Sequence, residues 1–174
     1  MQIWRCFLCK DTDVLNRAFI TYVRPLLEYC SSVWSSSSKV LVDQLESVQR
    51  RFTKRLPGLH SVAYDERCAR LKIDRLELRR LYADLILCYK IINGLTVLPP
   101  DKFFTIMANH VTRGHSYKLF LHQSRVNCTQ HFFGIRVIKV WNFLPADVVC
   151  AHSITVFVRK LKCVDLSQFL IGKI

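Results

Sequence analysis

Residues 21–59 read TYVRPLLEYCSSVWSSSSKVLVDQLESVQRRFTKRLPGL: an apolar helix ending in an aromatic, a serine break, and a second helix with one basic side. In the second part Leu41, Leu45, Val48, Phe52 and Leu56 recur at helical spacing. At roughly 100° per residue they share one stripe, with Arg50 and Lys54 opposite it and Arg51 on its flank. Such a helix buries one side in a core and offers cations to a polyanion from the other. The pattern decides for a mainly α fold.

Upstream, Leu15, Ala18, Phe19, Tyr22 and Leu26 make one helical stripe, which Pro25 must kink or restart because it removes an amide donor and crowds the preceding turn. Arg24 and Glu28, four apart, form a helical ion pair. Ser35 to Ser38 end this element and supply a cap for the next. Pro57-Gly58 is a turn. An amphipathic helix follows over about residues 64–71, and then a longer one capped by Asp74 and ended at Gly94. Leu78, Leu81, Leu85, Cys88, Tyr89 and Ile92 form its main face, while Leu87 and Ile91 lie nearly opposite, so its second half is buried from two directions.

Leu98-Pro99-Pro100-Asp101 breaks the chain where composition changes, which places a subdomain boundary near residue 97. The expected architecture is a helical bundle over 1–97, followed by a basic α-rich region over 98–174. In that region Tyr117, Leu119 and Leu121 alternate with Lys118, Phe120 and His122, as in a short strand or the arm of a small β-hairpin. Phe133, Val137, Val140, Trp141 and Leu144 fit a helix stopped by Pro145; Ser153 caps a last helix with Ile154, Phe157 and Leu161, and the tail from Val164 frays.

Charge narrows the functions. The net charge of +13 is uneven: up to Asp101 there are 16 Lys and Arg against 11 acids, and from Lys102 onward ten against two. This favours a nucleic acid or anionic surface over a small neutral substrate; the competing reading is a solvated basic face. No stretch approaches the roughly 18 uncharged apolar residues of a spanning helix, and the first 13 residues lack the pattern of a secretory signal, so an intracellular chain of the nucleus or cytoplasm is expected. Eight cysteines are then thiols, mostly small hydrophobes such as Cys30 and Cys88.

Four runs of residues carry a resemblance: Val23-Arg24-Pro25-Leu26-Leu27-Glu28-Tyr29-Cys30, Val33-Trp34, Leu45-Glu46 and Val48-Gln49-Arg50-Arg51. Further along stand Tyr64-Asp65-Glu66-Arg67, Leu76-Glu77-Leu78-Arg79-Arg80, Tyr89-Lys90-Ile91, Thr112-Arg113-Gly114-His115, Arg136, Trp141-Asn142 and Leu144-Pro145. In order and spacing the chain resembles the region after the palm in reverse transcriptases of LINE-type (non-LTR) retrotransposons, particularly Jockey-like elements, from about Asp13 to Leu161. The serine run departs from the family, which more often has a proline and an aromatic there.

The resemblance implies that residues 1–97 are a thumb-like subdomain packing on a template-primer duplex of RNA or DNA. The palm and fingers, with the catalytic aspartates and their divalent metal such as Mg, would lie upstream and be missing, with Met1 an internal start. Arg50, Arg51, Lys54 and Arg55 would meet phosphates, joined by Arg113, His115, Lys118, Arg136 and Lys139 from the second half. No cofactor, no metal site, no catalytic residue and no membrane partner are expected in this chain.

Other chemistry is weaker. Tyr82-Ala83-Asp84-Leu85 imitates the Tyr-Ala-Asp-Asp polymerase motif, but Leu85 replaces the second aspartate and the segment sits in the strongest helix pattern; Asp84 reads better as a surface partner of Arg80. Cys6-x-x-Cys9 and Cys128-x-x-His131 have zinc-knuckle spacing but stand far apart, with no second pair at finger spacing. His60, His110, His115, His122 and His152 read as loop or surface residues, and no nucleophile signature accompanies the thiols. Phe132, Phe133 and Trp141 read as core in preference to stacking platforms. A helical protein-interaction module and an inert genomic relic are the alternatives to a polymerase fragment.

Overall fold

The computed structural model describes residues 8–107, 115–123 and 131–172. The fold is mainly α. The helices are α1 (Thr12–Ala18), α2 (Arg24–Glu28), α3 (Ser31–Trp34), α4 (Lys39–Lys54), α5 (Tyr64–Leu71), α6 (Leu76–Ile92), α7 (Phe133–Phe143), α8 (Ala146–Val149) and α9 (Ile154–Leu161). A π-helical turn, Phe19–Val23, joins α1 to α2.

Packing divides the chain into two compact units. One holds the described residues up to Ser31, Ser36–Arg79 and those from Ile171; the other holds Ser32–Ser35 and Arg80–Leu170. Composition changes near residue 97, but the division falls within α6, because Tyr89 on its later turns stacks on Phe157 at 4.3 Å and donates its hydroxyl to Ala151 O.

In the first unit α1 opens with Asp11 accepting from the amides of Asp13 and Val14, which satisfies two of the orphan donors of a helix start. Leu15, Ala18 and Phe19 enter a core with Phe52, Leu56, Leu59, Tyr64 and Leu71, where Phe19 and Phe52 stack at 4.3 Å. Tyr22 and Leu26 do not continue this stripe. Pro25 cannot donate to the carbonyl four back, and the helix widens to a π turn closed by Arg24 N–H on Phe19 O. The extra residue rotates the face, so Ile20, Val23 and Leu27 pack on the core while Tyr22, Leu26 and Tyr29 are 64%, 78% and 77% exposed.

The α4 stripe is also turned by one position. It buries Val42, Glu46, Gln49, Phe52 and Thr53, and Leu41 is exposed. Two of its polar residues, Glu46 and Gln49, go inside with hydrogen-bond partners from α5 and around the start of α6, although the Gln49 Oε1 is left without one among the described residues. Glu46 accepts from Tyr64 Oη and from the Leu76 and Glu77 amides at 3.3 Å; Gln49 Nε2 donates to Tyr64 Oη and Asp74 O at 3.0 Å. The first turn of α6 is therefore capped by Glu46, whose negative charge also suits a helix N-terminus, and not by Asp74. Ser38 holds the N-cap position of α4, yet its hydroxyl makes no capping bond. At the far end Gly94, with φ +66°, lets Leu95 N–H close on Lys90 O at 2.8 Å, as expected of a helix-ending glycine.

Up to Gly172 the tail from Val164 is held and not frayed as its terminal position predicts: Leu166 is buried, and Glu77 accepts from the amides of Ile171 and Gly172.

In the second unit Leu119 and Ile106 form an isolated antiparallel bridge, and the described residues contain no strand and no hairpin. The reason lies on α7. Asn142 accepts from Leu119 N–H and donates to Leu119 O, both at 2.8 Å, so a side-chain amide takes the groups that a neighbouring strand would need. Trp141, fully buried, donates its indole N–H to Tyr117 O at 2.8 Å. Ser153 caps α9 by accepting from Val156 N–H.

Candidate nucleic-acid interface

Arg51 and Lys54 occupy the last turn of α4 and Arg55 its C-cap, where cations complement the partial negative charge of the helix end. Phe52 and Thr53 anchor the opposite side, fully buried. Spacing of three and four residues then puts Arg51, Lys54 and Arg55 on one solvent-exposed face, and none makes an ion pair among the described residues. Arg50 is placed differently. Its guanidinium lies 5.2 Å from the Tyr64 ring centre, and its carbonyl accepts from Thr53 Oγ1, so it belongs to the packing between α4 and α5.

Tyr64 is the centre of that packing. Arg67 and Arg75 also lie within 6 Å of its ring, but both are committed: buried Arg67 donates to Thr53 Oγ1 and Arg75 pairs with Asp65 at 2.7 Å. Burial, reinforced by the Glu46 carboxylate, pushes the Tyr64 hydroxyl well above its ordinary range.

Arg24 keeps a loose contact with Glu28 at 3.9 Å, but the carboxylate is taken on both oxygens by Arg79. Burial and the neighbouring Arg79 guanidinium hold the Arg24 pKa below its usual value.

The second-half candidates separate in the same way. Arg136 Nε and Nη2 grip both oxygens of Asp84 at 2.9 and 3.0 Å, and the same guanidinium donates to His131 O and Ser32 O. Asp84 is 4% exposed, so the polymerase-like Tyr-Ala-Asp is an interior helix segment whose carboxylate partners Arg136, and Asp84 is not at the surface. With both oxygens engaged it offers no ligand to a metal, and among the described residues no three His, Cys, Asp or Glu side chains gather as a metal site. Around Asp84 the described residues do not fit a two-metal centre.

His115, expected at the surface, is 5% exposed, with Nε2 3.1 Å from Trp141 O; burial lowers its pKa, against the pull of that hydrogen bond, and favours the neutral ring. Lys139 is exposed on α7, Lys118 is half-buried, and Arg113 lies outside the described residues, as do His110, Cys6 and Cys128. Cys88 is interior, its thiol pushed well up by burial and by Asp84; Cys30 is exposed at a turn with φ +51°.

Of the aromatics assigned to the core, Phe133 and Trp141 are buried and Phe132 is exposed. Phe120 is a surface aromatic that periodicity left as part of a strand face. Its amide donates to Thr105 O at 2.8 Å, and its ring meets His122 edge to face with centres 4.8 Å apart. Its place next to buried Leu119 in an extended stretch is the one sequence signal that points it outward.

No family model matches the chain, and no solved structure does. An uncharacterised protein of Caenorhabditis elegans is 26% identical to it, over 59% of this chain and 59% of its own length. The chain thus spans well under two thirds of that relative. No described helix is long and apolar enough to cross a membrane.

Proposed function

We propose that the chain is the non-catalytic C-terminal part of an RNA-directed DNA polymerase of a non-LTR retrotransposon, keeping a nonspecific grip on template-primer RNA or DNA. The observation that carries this reading is the exposed, acid-free row of Arg51, Lys54 and Arg55 on a helix locked from behind by Phe52 and Thr53. Such a row neutralises phosphates and releases counterions, which gives affinity without sequence choice. Arg50 serves the internal packing of the first unit, and His115 and Arg136 that of the second. Nucleotidyl transfer and its divalent metal belong to the palm that the resemblance places upstream, and none of it is assigned to these residues.

The test is fluorescence anisotropy of labelled RNA and DNA duplexes across a salt series. Three phosphate contacts give a slope of log affinity against log salt near about −2 to −3. Arg51→Glu, Lys54→Glu and Arg55→Glu together abolish binding with the thermal melt unchanged. Salt-insensitive binding, or none by the wild-type chain, removes the reading.

A second reading, a helical protein-interaction module, is favoured by Tyr22, Leu26 and Tyr29, which the π turn aims into solvent. The occupant this implies is the palm and fingers of the parent polymerase. Association of that kind survives high salt and is lost on replacing Leu26 and Tyr29 by serine.

A further inference from the structure

We propose that Phe120 is a base-stacking platform, through which the second unit binds unpaired nucleotides of a single strand. This rests on the nucleic-acid reading above, and deepens it by naming the form of nucleic acid that the second unit takes.

An exposed phenylalanine is ordinary by itself. Here three things set it apart. The backbone is fixed at consecutive residues without a sheet: Met107 N–H donates to Lys118 O and Phe120 N–H to Thr105 O, both at 2.8 Å, and Leu119 is held on both sides by Asn142. In this extended stretch successive side chains point to opposite faces, so buried Leu119 leaves Phe120 outward with His122, while Lys118 in the same register is half-buried and Leu121 is exposed as well. The T-shaped contact with His122, whose Nε2 lies 3.3 Å from Thr105 Oγ1, sets the tilt of the ring while 47% of the residue stays open.

The composition of this half of the chain suits a polyanion. From Lys102 onward the sequence has ten Lys and Arg against two acids. A preorganised aromatic set against an imidazole offers a π face to a base. A duplex keeps its bases stacked on each other and has no free face to give, so the platform discriminates in favour of a single strand.

The experiment measures binding of the full chain to labelled oligo-U and oligo-dT of about twelve nucleotides, and to duplexes of equal length, by anisotropy. Phe120→Ala lowers single-strand affinity about 5- to 100-fold and leaves duplex affinity within about twofold. Phe120→Ile, which suits an extended backbone, reproduces the loss, and Phe120→Tyr, which still stacks, keeps the affinity. Loss on both oligonucleotides, or on one alone, supports the platform and tells which strand chemistry it takes. Equal loss on single strand and duplex overturns it, as does wild-type behaviour of both Ala and Ile variants. If the wild-type chain binds no nucleic acid, the broader reading falls as well; if it binds and only the Phe120 variants are silent, the phosphate grip of α4 stands without the platform.

Discussion

Asn142 replaces a β-strand for Leu119: one carboxamide satisfies both the N–H and the C=O of a buried residue that, among the described residues, pairs otherwise through a single isolated bridge. Asn142→Ala leaves two buried backbone groups without partners and costs about 2–4 kcal/mol of stability. Asn142→Asp keeps the acceptor but turns a carboxylate toward the Leu119 carbonyl, and costs at least as much. Urea unfolding followed by fluorescence of buried Trp141 checks both.

The Arg136 and Asp84 pair is interior, and removing one partner strands the other. Arg136→Met or Asp84→Leu alone costs about 3–5 kcal/mol, whereas the double substitution recovers most of the loss. Nucleic-acid affinity of the folded double variant stays at the wild-type value. A selective loss of binding by Arg136→Met, with stability kept, would return Arg136 to the phosphate contacts that its place in the sequence pattern suggests.

Helix positions were legible from spacing and punctuation: Gly94, Ser153 and the 64–71 segment behave as their local chemistry requires. The faces were less so. Periodicity gives an apolar face by counting at a fixed angle. It therefore misses a rotation introduced by a π turn before Pro25, and a buried Glu46 and Gln49 whose partners, the start of α6 and Tyr64, are distant in sequence. The exposed cations of α4 were readable because they share their helix with Phe52. His115 and Arg136 were not, since a single sequence does not distinguish a cation aimed at phosphate from one aimed at a buried carboxylate or carbonyl.

The π turn makes a sharp pairwise prediction. In a regular helix Leu26 would continue the Leu15, Phe19 and Tyr22 stripe and Leu27 would face away. With the turn present, Leu26→Ala changes stability by less than about 0.5 kcal/mol, and Leu27→Ala costs about 1–2 kcal/mol through lost packing on the core. Chemical denaturation of the two variants side by side decides; the reverse order would mean that the helix runs on without the extra residue.

Arg50 and Arg51 are neighbours with different assignments. Arg51→Ala removes one phosphate contact, lowering the salt slope by about one and leaving stability within about 0.5 kcal/mol. Arg50→Ala takes a guanidinium off Tyr64 and costs about 1 kcal/mol of stability, with a salt slope close to the wild type. Paired melts and salt titrations of the two variants separate the roles.

Tyr64 gives the chain an alkaline limit. Its hydroxyl, buried beside Glu46, ionises far less readily in the folded chain than in the unfolded one, where a tyrosine titrates near about pH 10. Below that pH both states hold the proton and the Tyr64 contribution is fully present. Above it the unfolded chain releases the proton while the folded chain keeps it, so folding stability falls by up to about 1.4 kcal/mol per pH unit from this group. Tyr64→Phe starts less stable at neutral pH, because Glu46 and Gln49 lose their shared hydroxyl, but lacks this component. Urea titrations at intervals above pH 10 should therefore give a shallower decline for Tyr64→Phe than for the wild type. Parallel declines would mean that the Tyr64 hydroxyl ionises in the folded chain as freely as in the unfolded one.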